Sequence, residues 1–160
     1  NGVTGQVDPG PAPDAEGDQA EPALPPLHQE AFDALSRNDL PGAKAAYLKA
    51  LAEAPADADA AAGLAQVELL ERVYALDADQ ARRAAAEEPE SVEGALDVAD
   101  LDISGGHIED AFVRVLGLYS AASDEDKERL RERLLTYFTI VGQAAPEVKK
   151  ARAHLTSLMF

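Results

Sequence analysis

The sequence predicts an all-α chain in which about four antiparallel helix pairs stack into one array, and three observations predict it. Ala, Leu, Glu and Arg dominate from Leu27 onward at helical spacing, while β-branched residues are sparse and no alternating run is bounded by turns. The chain also matches itself at a shift of 34 residues, which carries Ala31 onto Ala65 and Ala99 and Pro55 onto Pro89; twice that shift lays residues 38–43 on residues 106–111. A fixed period of this length marks a stack of small helical units, each unable to cover its own apolar face without a neighbour. Finally, Asn, Gly and Pro recur where helices should stop.

Residues 1–23 hold Pro9, Pro11, Pro13 and Pro22, five acids and no base, with no periodicity. They are expected to form a disordered acidic linker, because they cannot bury enough apolar surface to offset their ordering entropy. Residues 24–123 read as three repeats. Small side chains at Ala31, Ala43, Ala65, Ala99 and Ala111 let helix backbones approach. Asn38 in the first unit and Gly105 and Gly106 in the third can adopt the left-handed conformation that closes a helix. Pro55 and Pro89 stop second helices, since proline lacks an amide hydrogen and disfavours helix in its predecessor. The middle unit departs from the pattern: Arg72 and Val73 stand where a turn is expected and Asp77 where Ala43 and Ala111 stand, which moves its turn towards residues 76–79. Residues 124–160 read as a capping hairpin. Ser123 caps a helix with Asp124, Glu125 and Asp126 in its first turn, Leu130, Leu134, Phe138 and Val141 share a stripe, and Gly142 ends it. Pro146 opens the last helix, with Val148, Ala151, Leu155 and Leu158 or Met159 facing inward.

The totals exclude several functions. A net charge of -16 repels phosphate backbones and anionic lipid, so neither nucleic acid nor membrane is expected as a partner. No apolar run approaches the ~20 residues of a spanning helix. The charge is uneven, with residues 24–123 at -12 and residues 124–160 at +1, so an acidic body ends in a slightly basic segment that could orient a partner. There is no Cys, which removes disulfides, thiolate metal sites and cysteine nucleophiles from these residues. Asn1 is not an initiator methionine, so the chain is expected to be part of a longer or processed protein.

Catalytic and metal motifs are not found. Asp100, Asp102, Ser104 and Gly105 spell the first half of a calcium loop, but its twelfth position, where a bidentate Glu is needed, holds Ala111. His28, His107 and His154 show no ligand spacing, "SGGH" lacks the Lys and spacing of a phosphate loop, and no nucleophile elbow surrounds any Ser. Acid pairs such as Glu87 and Glu88 read as solvated helix faces. The expectation is a non-enzymatic chain with no cofactor and no metal.

The repeat units resemble tetratricopeptide repeats. Ala43, Tyr47, Ala50 and Pro55 fall at the family's small, aromatic, small and proline sites, and Ala99, Gly106 and Ala111 match in the third unit. The resemblance implies a right-handed stack whose first helices line a concave face. Here that face would carry Phe32, Leu35, Gln66, Leu69, Asp100 and Ile103, which lack the Lys, Asn and Arg set of a carboxylate clamp and suit an apolar or basic protein segment. The last helix adds Lys149, Lys150 and Arg152 beside Leu158, Met159 and Phe160 as a second expected protein contact. The order of parts, with "LPPLHQEAFDAL", "GLAQVELL", "LDVADLDISGGHIEDAF" and "KKARAHLTSLMF", is similar to the C-terminal half of bacterial thioredoxin-like co-chaperones called chaperedoxins. That likeness implies a cytoplasmic holdase module, monomeric or weakly dimeric, that binds chaperone machinery or unfolded clients. With no CxxC here it implies no redox activity for these residues. The alternative is a spacer or self-association module for an N-terminal thioredoxin-fold domain.

Overall fold

A computed structural model describes residues 23–160, so residues 1–22 of the expected linker lie outside the described residues. Eight helices and no strand are present among the described residues: α1 (Pro26–Ser36), α2 (Leu40–Glu53), α3 (Ala58–Tyr74), α4 (Ala78–Glu87), α5 (Val92–Ser104), α6 (Ile108–Tyr119), α7 (Asp124–Val141) and α8 (Pro146–Met159).

Local chemistry sets most of these boundaries. The side chains of Asp39, Asp57, Asp77, Ser91 and Ser123 accept the backbone N–H three residues on, at 3.0 to 3.2 Å, and so open α2, α3, α4, α5 and α7. Proline stands in the first turn of α1, α2 and α8, where a missing N–H costs nothing. Two helix ends 68 residues apart close in the same way. Asn38 (φ 57°) and Gly106 (φ 83°) turn left-handed, and the next N–H donates back to a carbonyl five residues earlier, Asp39 to Ala34 and His107 to Asp102, each at 2.8 Å. The corresponding position of the middle unit is Arg72, which cannot take that turn cheaply. α3 therefore runs on to Tyr74, and Asp77 caps the next helix, as the departure at residues 72 and 77 predicts.

The helices pack mainly as successive neighbours, α1 on α2, α2 on α3, α4 on α5, and α5 on α6. The first helices α3, α5 and α7 form an inner layer in which α7 touches both α3 and α5, while α6 and α8 lie side by side outside it. α3 and α4 are not packed along each other; α4 rests on α5 and buries Ala85 alone. Two apolar cores result. The smaller one joins Ala34, Ala43 and Val67, with Tyr47 lying across α3 at Gly63, where an added Cβ would overlap the tyrosine ring. The larger one runs from Leu69 through Leu96, Phe112, Val115, Leu130, Leu134 and Phe138 to Val148 and Leu155. α3 contributes to both, Val67 to the smaller and Leu69 to the larger.

Candidate functional site

Asp100 and Asp102, the two acids of the half calcium loop, are buried, and each is consumed by arginine. Asp100 on α5 accepts from Arg72 Nε at 2.8 Å, from an Arg133 terminal nitrogen at 2.9 Å and from the Tyr137 hydroxyl at 2.6 Å. One carboxylate thus ties α3, α5 and α7 together. Asp102 accepts from Arg82 at 3.0 Å, which tethers α4 to α5. Among the described residues no group of three His, Cys, Asp or Glu could hold a metal ion. His28 instead meets Asp57 at 2.7 Å, while His107 and His154 are exposed.

Titration directions follow from this packing. Burial, then the neighbouring carboxylate of Asp100, pushes the Tyr137 hydroxyl above the usual tyrosine range, so it stays a donor. Asp97 sits one turn before Asp100, and burial together with Glu93 and Asp100 raises its carboxyl above the usual aspartate range, partly opposed by Arg133. A raised folded-state value means that the folded chain holds the proton more tightly, so ionising Asp97 costs stability as pH rises through and above that range. Asp97→Asn is therefore expected to raise the urea midpoint modestly at neutral pH. At about pH 3, where the carboxyl is protonated folded or unfolded, the gain should vanish. Urea midpoints at the two pH values check this.

The expected concave protein-binding face does not form as one surface. Phe32 is 56% exposed, Gln66 is exposed and Leu35 is half-buried. Leu69, Asp100 and Ile103 are buried, and the expectation of a partner contact at these three is corrected. The physical reason is that α7 lies across α3 and α5, so side chains that an open array would show to solvent are enclosed by Leu134, Tyr137 and Phe138. The C-terminal set is accessible. Lys149, Lys150 and Arg152 are exposed, Lys150 reaches Glu109 at 3.3 Å, and the Arg152 guanidinium lies 5.7 Å from the centre of the Phe138 ring. Leu158 is half-buried against the larger core, and Met159 and Phe160 are 43% and 99% exposed.

Sequence reasoning missed a groove of about 320 Å³ between α6 and α8. Its apolar lining is Phe112, Val113, Leu116 and Ala151, and its rim carries Glu109, Glu147, Lys150 and His154. The available signal was Val113, an apolar residue on the polar side of α6 that is 64% exposed. Nothing in the sequence pairs it with α8. The groove between α6 and α8 pairs an apolar lining with a charged rim. No helix is long and apolar enough to cross a membrane among the described residues.

Comparison with known proteins relates the chain to mycobacterial proteins and to one repeat family. The chain is 28% identical over 151 residues to uncharacterized proteins of Mycobacterium bovis and Mycobacterium tuberculosis, covering 94% of this chain and 48% of each relative. It thus spans about half the length of the curated relatives it matches. No solved structure matches significantly. A tetratricopeptide repeat model matches residues 71–160, which hold Arg72, Asp100, Arg133 and the α6/α8 groove. Repeats of this class generally mediate contacts between proteins, and with more than half of its length matched the chain belongs to the tetratricopeptide repeat family.

Proposed function

We propose that this chain is the protein-binding part of a cytoplasmic co-chaperone of the holdase type, and that the last turn of α8 contacts an unfolded client or a chaperone. In this reading three repeats over residues 24–123 are closed by the hairpin over residues 124–160. The observation that carries it is the exposure of Met159 and Phe160 at the end of a helix that also presents Lys149, Lys150 and Arg152. A flexible thioether and an aromatic ring adapt to varied apolar surfaces, and the basic helix on an acidic body orients an incoming partner. The likeness of "KKARAHLTSLMF" to the ending of chaperedoxins supports the same reading.

Deleting residues 156–160 is expected to leave the helical circular dichroism essentially unchanged, because only Leu158 of these residues touches the core. The same deletion should abolish suppression of aggregation of a heat-denatured model client such as citrate synthase. Equal suppression by both proteins would remove the contact from α8. A concentration-dependent dimer in sedimentation, with no suppression by either protein, would favour the alternative of a spacer or self-association module.

A further inference from the structure

We propose that the groove between α6 and α8 docks an amphipathic helix of a partner protein, running antiparallel to both, with a Lys or Arg in its last turn held by the carboxylates at the groove's end. This surface is separate from the last turn of α8, and it stands or falls independently of a client contact there.

The shape comes from two helices side by side. Glu109, Phe112, Val113 and Leu116 lie at i, i+3, i+4 and i+7 on α6, and Glu147, Lys150, Ala151 and His154 follow the same spacing on α8. Two such rows leave between them the seat for a third helix. Glu109 bridges to Lys150, and Glu147 shares a depression with residues 106–110, so the N-terminal ends of α6 and α8 stand together.

One further observation points outward. Val113, in the middle of the α6 row, is 64% exposed, an apolar surface that the apolar stripe of a partner helix would cover.

The charge selects the partner's chemistry. Glu109 and Glu147 stand at one end of the groove, and Asp110 joins them in the depression that adjoins it. Lys150 takes up Glu109, Asp110 shares a further depression with Arg82 and Arg114, and among the described residues no cation reaches Glu147 within salt-bridge distance. That end coincides with the N-termini of α6 and α8. A helix docked antiparallel brings its own C-terminal end there, which is where Lys and Arg also complement its dipole.

The test uses two fluorescent peptides of about 14 residues with one composition and one apolar stripe, carrying two lysines in the last turn or in the first. Equal net charge removes the general attraction of an acidic protein for a cationic peptide. In fluorescence anisotropy the last-turn peptide is expected to bind about tenfold more tightly than its isomer. Val113→Glu and Glu147→Lys, both at exposed positions, should each weaken it by about tenfold with circular dichroism unchanged, and deletion of residues 156–160 should not alter it. Equal binding of the isomers, binding of neither, or binding insensitive to Val113→Glu would overturn the proposal. So would a dimer dissolved by Val113→Glu, which would give the groove to a second copy of the chain.

Discussion

Asp100→Asn is expected to lower the unfolding free energy by about 3 kcal/mol, seen as an earlier denaturant midpoint with an unchanged slope. The substitution preserves volume and removes charge. It leaves the guanidinium groups of Arg72 and Arg133, whose side chains are 30% and 24% exposed, facing each other without the carboxylate that holds both. Removing one member of a buried ion pair typically costs ~3–5 kcal/mol, and the lower end applies because both arginines keep access to water. An asparagine amide would also turn N–H groups towards donors. Tyr137→Phe should cost less, about 1–3 kcal/mol, since it removes one donor at 2.6 Å and leaves the arginines in place. Replacing Asp100 by Leu together with Arg72 and Arg133 by Met should recover most of the loss, because an apolar set of similar volume escapes the desolvation cost. A midpoint for Asp100→Asn within error of the parent would mean that the network does not constrain the α3, α5, α7 layer.

Most of the fold was legible because its signals are local. Asn38 and Gly106 occupy equivalent places in the repeat, and both turn left-handed; Ser123, Gly142 and Pro146 mark ends that the structure keeps. The site was less legible because its partners lie far apart in sequence. Arg72 could be recognised as a break in the repeat, but its use depends on Asp100, 28 residues later, and on Arg133, 33 residues beyond that. The acids of the half calcium loop illustrate the same limit. Their spacing suggests a shared ligand, whereas residues two apart on a helix point to nearly opposite sides, and α5 sends Asp100 to α3 and α7 and Asp102 to α4. The concave face failed for a related reason: repeat register says which residues line the first helices, but not that α7 folds across α3. At the end of α8, Met159 and Phe160 are exposed among the described residues.

The larger core makes a second demand on stability at Phe138, and Phe138→Ala is expected to cost about 3–5 kcal/mol. The ring is fully buried on α7, meets Phe112 of α6 edge-on at 5.3 Å and 84°, and carries the Arg152 guanidinium of α8 over its face. Truncation removes the aromatic pair, the cation's seat and the volume that separates three helices, and a close-packed interior fills such a void only in part. Phe138→Leu keeps most of the volume and should cost clearly less, and a cycle with Phe112→Leu should reveal a coupling of about 0.5–1.5 kcal/mol for the edge-on pair. Because Val148, Ala151 and Leu155 hold α8 against this same core, hydrogen exchange in α8 should quicken in Phe138→Ala before exchange in α1 and α2, which pack in the smaller core around Ala34, Ala43 and Val67. Uniform loss of protection from α1 to α8 would instead show that α3 couples the two cores into one cooperative unit, and damage at the α6/α8 end would then be felt throughout the array.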